Sequence, residues 1–530
     1  MKFTSRRSNV RGRNGVVATT QPLAAMAGLR TLLNGGNAID AAVATAATLN
    51  VVEPMSTGIG GDLFALVKIG SDPKIKAINA SGRAGKAASL QELRDQNLCE
   101  IPSDSPYAIT VPGTVSGWES LIDSYGNMDL KDCLKPAIEY AEFGYPVSEI
   151  IAAQWNANST RISKYGLKSD LLINGRPPQA GEIVKMPQLG RTLRTIAEGG
   201  AKEFYQGDLA SKISSHIQSL GGWLTKDDFI NHEANWVEPI KTTYRGVTCW
   251  ECPPNGQGLN ALLALNILSG FDISKMGFQS GETYHHLIEA MRLAFMDGAT
   301  YIADPSKVEV PLESLLSKKH ADYKRSFINP ESVANVECSI DSKVINDTVY
   351  ISVVDKNGNA CSLINSLYEA FGSGIIVPDT SIALHNRGKG FSLTDNHPNV
   401  IEANKRPFHT IIPAMATIDD QLWLTYGVMG GMQQAQGHLQ MLVNMIDFKL
   451  SPQQALDAPR FRTEITNESF IETIADKRIL DQLKSKGHNV TLAEPHPSFF
   501  GSGQIIETDL SNGTLTGASE PRSDGIAVAW

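Results

Sequence analysis

The sequence predicts an α+β fold. Strand and helix signals alternate between Gly15 and Ile69, helix signals dominate the middle, and β-branched strands take over from Thr348. Gly15–Thr19 (GVVAT) reads as a buried strand. Pro22–Leu33 reads as a helix, with proline near its first turn and Gly35-Gly36 after it. Ala38–Asn50 is a second, alanine-rich helix. Glu53–Asp62 (EPMSTGIGGD) is a glycine-rich turn and Leu63–Ile69 the strand after it. These glycines lack the GK[ST] of a phosphate loop and the spacing of a dinucleotide fingerprint, so a tight turn packed near the active centre is expected.

Thr283–Ala299 reads as a helix, and Glu331–Asp347, polar and without period, as a mobile segment. Thr348–Val354, the turn Asp355–Asn359 and Ala360–Leu367 form a β-hairpin. Pairing Asp355 with Asn359 sets Ser366 opposite Thr348. Further on, Leu422–Gly427 reads as a strand and Met429-Gly430-Gly431 as a turn. A helix follows, with Leu439, Leu442, Val443 and Ile446 at i, i+3, i+4 and i+7.

The length of 530 residues suggests about three or four domains. Hydrophobic residues at 42% and charged residues at 19% are ordinary for a chain with a large core. The net charge is −9, and no basic block follows Arg6, Arg7, Arg11 and Arg13, which argues against nucleic-acid binding. No apolar run follows the basic start, so a cytoplasmic location is expected. No apolar stretch is long enough to span a membrane. The six cysteines are sparse. Cys249-Trp-Glu-Cys252 sits in the strand-like YRGVTCWECPP and reads as structural. His385, His397 and His438 lack metal-ligand spacing and no GxSxG elbow appears, so neither a metal, a cofactor nor a serine triad is expected.

The junction Asn346-Asp347-Thr348-Val349 carries chemistry if its 347–348 bond breaks. Thr348 would then hold a free α-amine, of pKa about 7.7–8.0, beside its own hydroxyl, and the amine could take the hydroxyl's proton. The N–H groups of Gly430 and Gly431, ahead of a helix, are suited to an oxyanion. A threonine opening a strand and a glycine turn before a helix are also ordinary structural features.

Longer motifs decide between these readings. GGNAIDAAVATAATLNVVEPMSTGIGGDLF, VPGTVSGW, PPNGQG, DTVYISVVDKNGNACSLINSL, FGSGI, NKRPFHTIIP, MGG, DAPRFR and EPRSDGIA occur in this order. From about Gly15 to Trp530 the chain resembles the γ-glutamyltransferase family. The resemblance implies the four-layer αββα sandwich of N-terminal-nucleophile hydrolases and self-cleavage before Thr348. Cleavage would give a large piece, 1–347, and a small one, 348–530, which remain associated in one αββα unit. It implies an oxyanion pair at Gly430 and Gly431, a supporting hydroxyl at Ser366, and Arg83 as a holder of the substrate carboxylate. The partners implied are a small-molecule amide and the chain's own second fragment; a homodimer is compatible with it.

Where the well-studied transferases hold the glutamyl head with an Asn, a Gln and an Asp, this chain has Tyr368, Arg387 and Gly390; His409 and Thr410 replace two serines. These are the candidate substrate-binding positions. The loss of acid points away from a plain γ-glutamyl site and toward the branch with oxamate amidohydrolase and cephalosporin acylases. Glu369 and Asp395 are the candidate substitutes for the missing acid. The nominal activity is hydrolysis of γ-glutamyl amides such as glutathione, or transfer to an amino acid. The alternatives are an oxamate-like or glutaryl-type amide, or an uncleaved binding homologue.

Overall fold

The computed structural model describes residues 7–334 and 347–530. Two seven-stranded sheets, antiparallel throughout, lie face to face. The first runs in the order Ile526–Ala529, Gly15–Thr19, Asp347–Asp355, Ala360–Tyr368, Asp62–Lys68, Ile75–Asn79 and Asn235–Val237. The second runs Val10–Gly12, Leu515–Ser519, Ser502–Thr508, Gln421–Met429, Ala414–Ile418, Val247–Glu251 and Ile240–Tyr244. Segments from both sides of the 347–348 bond interleave in both sheets, so the core is one unit rather than the three or four that length suggests.

Alternation along the central strand builds the layers. Tyr350 and Val354 pack between the sheets with Phe64, Ile364, Met415 and Ile506. Val349, Ile351 and Val353 point the other way, into the helices Pro22–Leu33 and Ala38–Val52. On the far side Gly258–Leu268, Gly281–Tyr301 and Gln433–Ile446 cover the second sheet. The order is helix, sheet, sheet, helix. Every residue of Ala38–Val52 is buried, which explains its alanine content: small side chains let a helix lie close on a sheet without a polar face. An Asn37–Asp40 capping box starts it.

The hairpin register is the one read from sequence. Val349 pairs with Asn365 and Val354 with Ala360, and the Asp355 amide donates to the Asn359 carbonyl. Gly15–Thr19 and Pro22–Leu33 match their expected ends, while Gly281–Tyr301 and Gln421–Met429 run one or two residues past theirs. Most of the segment expected to be mobile, including Cys338 and Asn346, lies outside the described residues. Cys249 and Cys252 are buried and unbridged, and burial pushes both thiols up. Among the described residues no helix is long and apolar enough to cross a membrane.

Candidate active site

Thr348 sits second in the strand Asp347–Asp355, where the ladder breaks register. Asp347 pairs with Tyr368 but Val349 with Asn365, so Ser366 and Leu367 together oppose Thr348. Such a bulge re-aims side chains. The Thr348 and Ser366 hydroxyls lie 3.0 Å apart, both buried. Ser366 Oγ also accepts the Tyr368 N–H at 2.8 Å. Tyr368 has φ +79°, a left-handed conformation that strains a bulky residue. The glycine-rich turn closes on this centre from below: a Cβ on Gly61 would stand 2.4 Å from the Ser366 carbonyl oxygen, and one on Gly60 2.1 Å from that of Ala383. Only glycine permits this approach.

The Gly430-Gly431 turn follows the strand Gln421–Met429, which packs on the Thr348 strand across the sandwich. The Ser352 and Thr425 hydroxyls meet between the sheets, and Gly427 lies against the Tyr350 ring. Gly430 and Gly431 have φ +118° and +62°. Both are buried, and among the described residues neither N–H has an acceptor. Two idle buried donors at a helix start form a site for negative charge.

Arg387 supplies the opposite kind of anomaly. It opens the short 3₁₀ turn Arg387–Gly390 and is fully buried. Its Nη1 donates to Thr410 Oγ1 at 2.8 Å and its Nη2 to Ser366 Oγ at 3.4 Å. The guanidinium stacks 4.0 Å over the Tyr368 ring. Its Nε has no partner, and among the described residues no carboxylate pairs with it. Burial pulls its pKa down to about 10, so it stays charged at neutral pH.

The other expected acids are elsewhere or occupied. Glu369 is held by Arg161 at 2.8 Å, Lys389 at 3.1 Å and Asn386 at 2.9 Å. Burial would raise its pKa, but Lys389 and Arg161 outweigh that and hold it low. Asp395 is on the surface, paired with Arg94. Gly390 leaves no vacancy for an acid, because a Cβ there would meet the Phe408 carbonyl oxygen at 2.8 Å.

His409 does not face a substrate. Its ring packs on Phe64, Nε2 lies 3.0 Å from Asp62 Oδ2, and Nδ1 accepts the Ile411 N–H. Burial and the Arg387 charge push it down to about 3, so it is a neutral donor to Asp62. Asp62 is the residue that sequence reasoning missed. It opens its strand opposite Ser366 and also binds the Gly82 N–H. Burial alone would raise its carboxyl; His385, His409 and Arg387 outweigh this and hold it below the usual range. The only signal was an acid opening a strand that is otherwise apolar on both faces.

Arg83 follows Gly82, whose N–H donates to Asp62. The Arg83 carbonyl accepts the Val111 N–H, and the Arg83 side chain lines a cavity of about 700 Å³ with Lys86, Asp227 and His232. Of the sequence-predicted positions the structure thus joins Thr348, Ser366, Tyr368, Arg387 and Thr410, with Gly430 and Gly431 at the end of the strand packed on that of Thr348. Among the described residues no three His, Cys, Asp or Glu side chains are placed to hold a metal ion.

The comparisons give the family and the fold. The gamma-glutamyltranspeptidase family profile matches residues 24–530. The glutathione hydrolase-like YwrD proenzyme of Bacillus subtilis is 37% identical over 528 residues, covering 98% of this chain and 99% of the relative. The oxamate amidohydrolase proenzyme of Klebsiella pneumoniae is 33% identical over 542 residues, covering 98% of each. The crystal structure of a cephalosporin acylase from Bacillus halodurans superposes with a TM-score of 0.92 at 42% identity, covering 100% of this chain and 98% of the other. With the four-layer sandwich and the site at its centre, the chain belongs to the gamma-glutamyltranspeptidase family of N-terminal-nucleophile hydrolases.

Proposed function

We propose that this chain is a self-processing amide hydrolase whose nucleophile is Thr348. The observation that carries the reading is the buried Thr348–Ser366 hydroxyl pair, on a strand packed against the one that ends in two idle buried N–H groups. In the precursor, the Thr348 hydroxyl adds to the Asp347 carbonyl carbon. Collapse breaks the 347–348 C–N bond and leaves an ester, and water then releases the Asp347 carboxyl and a free Thr348 amine. In turnover that amine takes the hydroxyl proton as Oγ1 adds to a substrate amide carbonyl. The oxyanion forms toward Gly430 and Gly431. The amine returns the proton to the leaving amine, and the acyl ester passes to water or to an amino acid.

The acyl group that suits this site ends in a carboxylate, of the glutaryl or oxamate kind. Arg387 is a buried charge in want of an anion, beside the Thr410 hydroxyl. A γ-glutamyl donor would offer the same carboxylate, and relatives named glutathione hydrolase support that second reading. Its ammonium, however, finds Glu369 already committed to two cations, and an unpaired buried ammonium costs several kcal/mol.

Processing is tested on a denaturing gel. Wild type should give fragments of 347 and 530 − 347 = 183 residues, the smaller beginning Thr-Val-Tyr-Ile, and Thr348→Ala should stay whole and inactive. A small fragment with another first residue overturns the assignment. An uncleaved wild type marks a binding homologue.

A further inference from the structure

We infer that Gln257 is a specificity-determining positioning residue that fixes the length of acyl group the site accepts; this rests on the carboxylate reading above. Gln257 lies in the PPNGQG segment, directly before the helix Gly258–Leu268, and is fully buried. Its Nε2 donates to two carbonyl oxygens at once, that of Thr410 at 2.7 Å and that of Gly431 at 2.8 Å. Its own N–H donates to the His409 carbonyl at 2.9 Å. Two acceptors on one atom settle the amide orientation, because a side-chain oxygen there would face two carbonyls.

The two carbonyls belong to the two ends of the acyl site. Thr410 shares its hydroxyl with Arg387, where the distal carboxylate would bind. Gly431 belongs to the turn whose N–H groups would hold the scissile carbonyl oxygen. A single NH₂ group therefore ties the carboxylate anchor to the oxyanion turn and sets the distance between them. The Gly431 carbonyl also accepts the Gln434 N–H at 3.2 Å, which holds the turn to its own helix, whereas the Gln257 NH₂ links it to Thr410. A fixed span selects acyl chains by methylene count.

The test measures kcat/KM for succinyl, glutaryl and adipyl p-nitroanilides and the uncharged butyryl analogue, on the cleaved enzyme and two variants. In wild type one diacid should exceed its neighbours by about tenfold or more, the usual worth of one methylene in a fitted pocket. Gln257→Met keeps the size but removes both donors, and should compress that ratio to about threefold or less, mainly by loss on the best substrate. Gln257→Glu should behave likewise at neutral pH and regain part of the ratio on acidification, when an O–H donor returns; the wild-type ratio should not move with pH. A purely structural role would lower all substrates by one factor. Length ratios unchanged in both variants, or equal losses on every acyl chain, overturn the inference alone. A wild type that does not favour diacids over butyryl overturns the functional reading, and the inference with it. If Gln257→Met does not fold, the pH dependence of the Gln257→Glu ratio decides.

Discussion

Two of the regions that bury arginine treat it oppositely. Beneath the turn Phe500–Gly501, Arg460 donates to Glu520 at 2.7 Å and to the Gly501 carbonyl at 2.7 Å. Arg522 there binds Glu472 at 2.5 Å and Glu520 at 2.7 Å, and also the Leu456 and Ala458 carbonyls. Burial would lower the Arg522 pKa, but Glu520 and Glu472 more than offset it and drive it up. At Thr348, Arg387 is as deeply buried, has an idle Nε and two hydroxyls, and is pulled down to about 10. Both regions bear the desolvation of a cation, but only the first recovers it within the fold. Asp62 is near enough to feel the Arg387 charge but not in contact with it, and a buried guanidinium with an idle Nε has room for a ligand's carboxylate.

Stability separates the two most widely. Arg522→Met strands Glu472 in the core, leaves Glu520 with Arg460 alone, and should cost about 3–5 kcal/mol, the usual loss on breaking a buried pair. Arg387→Met strands no carboxylate, so unfolding should stay within about 1 kcal/mol of wild type or improve. Denaturant melts of the two variants check this, and equal losses would erase the contrast.

A smaller effect separates them by pH. His409, buried beside Arg387, sits at about 3, against about 6.5 for a free histidine. Below the free value the unfolded chain takes a proton that the native state refuses, so stability is lost as pH falls from about 6.5 toward 3. Each such histidine contributes a slope of about 1.4 kcal/mol per pH unit. His409→Gln should flatten the stability curve between about pH 6 and 4 by roughly that amount. Asp62, held low, acts only beneath this window. An unchanged slope would mean that His409 is charged in the native state.

Much of this was legible in the chain, for a physical reason. The hairpin carries turn residues and a period, so its register and the facing of Ser366 and Thr348 followed from Asp355 and Asn359 alone. The bulge at Thr348 was not, because nothing in β-branched residues marks where a ladder slips. Gly430 and Gly431 were visible as a turn, while their idle N–H groups depend on what fails to approach them. The side-chain pairs were the hidden part. Asp62 and His409 meet from positions far apart in sequence, and Gln257 reaches two backbone carbonyls, a contact with no residue signature. Gly390 looked like a missing acid and is a packing glycine under Phe408.

The most direct measurement is kcat/KM for matched glutaryl and γ-glutamyl p-nitroanilides, on wild type and on Arg387→Gln. The account predicts that the glutaryl substrate at least equals the γ-glutamyl one in wild type. Losing the guanidinium should then cut glutaryl turnover by about a hundredfold, the order expected for an unpaired buried carboxylate. A strong wild-type preference for the γ-glutamyl anilide, or an Arg387→Gln enzyme that hydrolyses the glutaryl anilide normally, would contradict it.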